Sequence, residues 1–277
     1  MWRAYRRGAR LAAGEPALVG ALWLISALFG LLFAVAAGYW LAIAMDGSLA
    51  TRTLLKDLDA NVLVDLWYHH REGLQMLGVV AVLLAGLHTM LWWWLSAVVI
   101  VRLRDREGGA AWSRAIALVP TMAALFLIAL AALALWSVAV GGAAYGLMRA
   151  TRADPSPLIW YRIAGAAALL WAPGYVWLVA VHDHARIRAC ATGAGGLAAY
   201  AWAAAFVTRG GERAFALALL LQVSAVSIWA AYQAVNLNVP MGAVLGLTGS
   251  LVWGEVFLLG RAWVRVWFFA AQNDLQA

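Results

Sequence analysis

Three polar side chains, Glu255, His88 and Gln222, stand inside long apolar runs of the chain. A carboxylate at membrane depth costs about 2.5 to 3.5 kcal/mol on insertion scales, so it is kept there for a partner or a task. At about 1.5 Å per residue, His88 and Glu255 each fall about 20 Å from the outer ends of their runs, and Gln222 reaches a similar depth. Arg261 follows Glu255 on the same run but sits about 120° away around a helix, whereas Arg261 and Arg265 share a face at i, i+4. The partner expected for Glu255 is therefore His88, with Gln222 as a neutral alternative. Gly254, together with Gly242 and Gly246 in a GxxxG spacing, would let a neighbouring helix come close. A carboxylate and an imidazole sharing a proton at the midplane would couple protonation to movement, as in a proton or substrate site. The competing reading is polar glue between helices, about 0.6 kcal/mol per hydrogen bond.

Other constellations are weaker. Asp65, His69 and Glu72 fall at i, i+4 and i+7 with His70 adjacent. They could face a divalent cation, but no fixed motif such as H-E-x-x-H is present, and a solvated face opposite Leu66 and Trp67 explains them. His182, Asp183 and His184 lie at the inner end of a run, where a helix C-terminus favours cations without any metal. Asp183 and Arg186 can pair at i, i+3. Gly249-Ser250 lacks the G-x-S-G of rhomboid-type intramembrane proteases, and only His88 is deep enough to ligate a haem. No glycine loop for phosphate occurs. The expectation is a chain with no catalytic residues, no metal site and no cofactor.

The elements that must position these residues are membrane spans. The 277 residues are 65% hydrophobic and only 12% charged, half the charge of an ordinary soluble domain. Six runs reach the about 20 residues needed to cross a ~30 Å core: 17–45, 75–102, 115–148, 158–181, 214–236 and 241–270. The third is longer than one span requires, and Gly141, Gly142 and Gly146 mark where it is expected to tilt or break. Membrane-interface belts account for many of the 17 tryptophans, and the consecutive Trp92, Trp93 and Trp94 cannot share one helix face.

The formal net charge of +7 sits at the ends of apolar runs, which argues for topology and against nucleic acid as a partner. Placing the N-terminus inside puts Arg3, Arg6, Arg7, Arg10, Arg102, Arg104, Arg106, Arg114, Arg186, Arg188, Arg209, Arg213, Arg261 and Arg265 on the cytoplasmic face. Arg52, Lys56, Arg71, Arg149, Arg152 and Arg162 fall outside. Both termini are thus expected in the cytoplasm. The first 16 residues resemble the start of a signal peptide, but the run that follows is far too long for one, so an uncleaved anchor fits. Segment 190–208 is Ala- and Gly-rich, and a seventh crossing there would expel Arg261 and Arg265. It is expected to be an interfacial elbow, within a cytoplasmic connection of 184–213. Outside, residues 46–74 are expected to form a cap of two short amphipathic helices, one capped by Ser48 with Leu54, Leu55 and Leu58 on a face, the other by Asn61 with Val62, Leu63, Leu66 and Trp67. The whole chain reads as one all-α transmembrane domain. Its single cysteine, Cys190, excludes an intrachain disulfide.

At the inner end of the fourth run, Asp183, Ala185, Arg186 and Arg188 form a D-x-A-R segment. The chain closes on Arg261, Arg265 and Gln272. These features resemble uncharacterised bacterial six-helix membrane proteins, distantly similar to the membrane domain attached to some glycerophosphodiester phosphodiesterases. The resemblance implies a six-helix topology in a bacterial cytoplasmic (inner) membrane and a tie to lipid or envelope processes, without the phosphodiesterase catalytic domain. Arg186, Arg188, Arg209, Arg213, Arg261 and Arg265 would form a basic inner rim for anionic lipid headgroups or an acidic partner. Two functions are expected from these features: a transporter or permease-like subunit for a lipid or small molecule, or a structural or assembly subunit of a membrane complex. The partners implied are membrane lipids and a second copy or other members of a membrane complex.

Overall fold

The computed structural model describes residues 1–45, 60–105, 111–151, 157–209, 212–236 and 244–276. All lie in helices or in the short joints between them, and no strand occurs among the described residues. The helices are α1 (Trp2–Ala13), α2 (Pro16–Ala44), α3 (Ala60–His69), α4 (Arg71–Asp105), α5 (Ala111–Ala117), α6 (Val119–Ala150), α7 (Pro157–Thr192), α8 (Gly196–Arg209), α9 (Glu212–Asn236) and α10 (Val244–Gln276). Five of them, α2, α4, α6, α7 and α9, are long and apolar enough to cross a membrane. The architecture is all-α and polytopic.

Helix boundaries follow local chemistry. Pro16 opens α2 from its first turn, where a missing N–H costs nothing. The long third run does not break at its glycines: α6 continues through Gly141, Gly142 and Gly146. It is interrupted instead at Leu118, just ahead of Pro120, which separates the short α5 from α6. Proline removes a donor and disfavours the helical region for the residue before it, whereas glycine costs only about 1 kcal/mol and keeps every backbone hydrogen bond. In a solvent without hydrogen-bonding capacity those bonds are kept.

The fourth run is also extended. Helix α7 is 36 residues long and continues past Val181 to Thr192, so the connection to α8 begins later than the 184 expected from sequence. Its end is a glycine cap: Gly193 adopts φ of +66° and its N–H bonds the Ala189 carbonyl, the left-handed conformation that glycine supplies at helix C-termini. Helix α8, with 14 residues, rises about 21 Å, short of a ~30 Å hydrocarbon core. The expected external cap falls partly outside the described residues. Ser48, Leu54, Leu55 and Leu58 lie there, as do the side chains of Asn61, Val62 and Leu63, while 60–69 is helical.

The chain divides into two compact units. The first comprises Met1–Leu11, Trp93–Val223 and Trp267–Ala277. Its core is built from small side chains: Ala180, Ala185 and Ala189 of α7 meet Ala199, Ala203 and Val207 of α8, with Met122 and Leu125 of α6 and Ala214 and Ala218 of α9. Alanine at helical spacing lets backbones approach closely, which compensates in contact density for what it lacks in bulk. The Ala-rich elbow is therefore packed along one face, while Leu197 on another stays exposed. Toward the other end of α6 and α7 the large side chains face outward, among them Leu127, Leu135, Val138, Leu169 and Leu170. Gly174, next to Pro173, holds these two helices together, since a Cβ there would lie 2.3 Å from Trp136 Cε2. The Trp136 indole donates to the Trp171 carbonyl at 3.2 Å, and Trp171 donates to Ser137 Oγ at 3.0 Å.

The second unit comprises Ala12–Trp92 and Ser224–Val266. It buries far less: Ala12, Val19, Leu22, Met45, Leu66, Ala262, Val264 and Val266 are enclosed, whereas the apolar faces of α2 and α4 point outward, with Leu31, Val35, Ile43, Val82 and Leu83 exposed. Aromatic rings also meet within it, as where Tyr232 stacks on Phe257 with ring centroids 4.3 Å apart.

Candidate functional site

Glu255 lies in the second unit on an exposed stretch of α10. Its Oε2 accepts a hydrogen bond from the Trp23 indole of α2 at 2.8 Å. An indole N–H is a neutral donor, so it satisfies one lone pair, and no cation pairs with this carboxylate among the described residues. His88 stands in the same unit on α4. Its Nε2 accepts from the Trp92 indole one turn on, at 3.0 Å, and its ring meets Phe29 edge-on at 5.1 Å. The Arg265 guanidinium lies over the Trp92 ring, 5.8 Å from its centroid. The structure thus gives Glu255 and His88 a separate tryptophan donor each and does not join them by a hydrogen bond. Gly254 faces open space, with no atom of another helix within 4 Å of where a Cβ would be; the close helix approach expected beside Glu255 is not made among the described residues. Gln222 belongs to the first unit, half-buried on α9.

The first unit contains a polar cluster of the opposite character, toward the C-terminal end of α7. Asp183 is buried. Its Oδ1 accepts from the Arg186 guanidinium, the i, i+3 pair anticipated from sequence, and its Oδ2 accepts from Gln272 Nε2 at 3.1 Å. The Asp183 and Arg186 side chains are only 7% and 13% exposed. The Arg186 guanidinium also lies 4.8 Å from the centroid of the Phe269 ring. One turn of α10 beyond Gln272, Gln276 Nε2 lies 2.8 Å from His184 Nδ1 and 3.1 Å from the His184 carbonyl. That arrangement places the imidazole proton on Nε2, with the ring edge-on to Phe206 at 4.9 Å. A buried ion pair survives only when its remaining hydrogen-bonding capacity is largely met, and here the end of α10 meets it for Asp183. Gln272, 89 positions away in the chain, entered the sequence reading only through a resemblance. Its role as the second partner of Asp183 is long-range and left no local spacing to detect.

The basic rim divides the same way. Arg186 is committed to Asp183 and Phe269, and Arg188 lies over the Trp202 ring at 4.7 Å. Arg209, Arg213 and Arg261 are exposed, and Arg265 is exposed beside Trp92. No group of three His, Cys, Asp or Glu side chains able to hold a metal ion occurs among the described residues; the Asp65 side chain, expected to face a cation with His69 and Glu72, lies outside them.

The chain matches no family model, no curated protein and no solved structure. What the two clusters can do must be drawn from their own chemistry. Asp183 is enclosed, paired twice and placed where helices are densest, which suits holding the first unit together. Glu255 is exposed, half-satisfied and carried on an apolar helix, which suits binding a proton or a cationic group.

Proposed function

We propose that this chain is a multi-pass protein of a bacterial cytoplasmic membrane, with six spans and both termini in the cytoplasm, acting as a non-catalytic transporter or permease-like subunit for a lipid or small molecule. The observation that carries this reading is Glu255, an exposed carboxylate held by a single neutral indole on a helix otherwise rich in apolar residues. A fixed structural role would favour a buried and fully paired acid, whereas a cargo or proton site keeps capacity in reserve. Helix α10, with 33 residues, is the sixth span in this reading, and the excess of arginine at one set of helix ends supports the orientation.

A second reading, a structural subunit of a membrane complex, is favoured by the outward apolar faces of α2 and α4, which another spanning helix could cover. Leaflet exchange of a fluorescent phosphatidylcholine in proteoliposomes of the full chain separates the two. Transport accelerated by the wild type and lost in Glu255→Gln supports the permease reading. Exchange no faster than in empty vesicles sinks it for lipid cargo.

A further inference from the structure

We infer that α1 is a docking surface for anionic phospholipid headgroups, a role independent of whether the spans move any cargo. Arg3, Arg6, Arg7 and Arg10 fall at i, i+3, i+4 and i+7 and so form one stripe of the helix, and all four are exposed. Ala4 and Gly8 lie on the far side and are buried. Gly8 rests so close to the end of α10 that a Cβ would be 2.7 Å from that of Ala271. The Trp267 indole donates to the Tyr5 carbonyl at 2.8 Å, and Arg7 pairs with Asp274 at 2.9 Å. The small-residue face thus anchors α1 to the chain and fixes which way the arginine stripe points.

That stripe is largely unspent. Arg7 remains 60% exposed despite its ion pair, Arg6 lies 5.2 Å from the centroid of the Trp2 ring, and Arg3, Arg6 and Arg10 make no ion pair among the described residues. Trp2 is itself half exposed and stacks on Tyr5, as an aromatic ring does at the headgroup level. An arginine-rich helix with an exposed tryptophan, joined directly to the spanning α2, presents the charge and shape that an anionic leaflet complements. Arg186 and Arg188, the inner arginines expected to meet lipid, are instead occupied by Asp183, Phe269 and Trp202.

The test is native mass spectrometry of the detergent-solubilised full chain titrated with short-chain phosphatidylglycerol or phosphatidylcholine. The wild type is expected to retain phosphatidylglycerol preferentially. The triple variant Arg3→Gln, Arg6→Gln, Arg10→Gln should bind it on the order of 100-fold more weakly, since each arginine contributes up to about fivefold at an anionic surface. The corresponding lysine triple variant should keep most of the binding, which separates lost charge from lost folding. Equal affinity for the two lipids, unchanged binding in the glutamine variant, or an equal loss in Arg209→Gln, Arg213→Gln would overturn the proposal.

Discussion

Asp183 and Glu255 are both carboxylates on long apolar helices, and the structure treats them in opposite ways. Asp183 sits in the densely packed first unit, with a guanidinium on one oxygen and an amide on the other. Glu255 sits in the second unit, exposed, with one indole N–H. In an apolar surrounding the energetic difference between these settings is large. An enclosed acid must have its partners in place before the helices close, so it becomes part of what makes one packing unique. An acid on an outward face adds little to packing and remains available.

This contrast orders what substitutions should do. Asp183→Ala leaves the Arg186 guanidinium buried without its counter-charge, and about 3 to 5 kcal/mol of stability should be lost, read as a lower midpoint in thermal melts of the purified chain. Gln272→Met keeps volume but removes a hydrogen bond to a charged group, for a loss of about 1.5 to 3 kcal/mol. A double-mutant cycle of Gln272→Met with Asp183→Asn should show the two losses to be non-additive. Additive losses would mean that the end of α10 is not held through Asp183. Glu255→Gln should cost least, under about 0.6 kcal/mol, the average for a hydrogen bond between membrane helices, because the amide oxygen of the replacement still accepts from the Trp23 indole. A loss as large as that of Asp183→Ala would erase the distinction between the two acids.

Sequence reasoning expects six spans, because about 20 apolar residues flanked by arginine is a strong physical requirement, and five helices meet it among the described residues. It also anticipated the Asp183–Arg186 pair, which is local. It failed where two chemistries competed for the same reading. Glycines in α6 looked like a break, but Pro120 makes the break because it alone removes a donor. Depth matches Glu255 to the imidazole and amide at its own level, and an indole N–H reads from sequence as an interface anchor. Trp23, one of 17 tryptophans, carries no mark that distinguishes it as a ligand. The arginine stripe of α1 was fully visible in its spacing, yet as a topology signal it explained the charge without requiring a face.

A hydrophobic carbodiimide applied to the full chain in membranes tests the contrast most directly, since it adds to carboxyl groups reachable from the apolar phase. Peptide mass spectrometry then reads the adduct at each acid. Modification is expected at Glu255, increased when Trp23→Phe removes the one donor this acid has among the described residues, with Asp183 untouched. An adduct at Asp183 with Glu255 unmodified would contradict it.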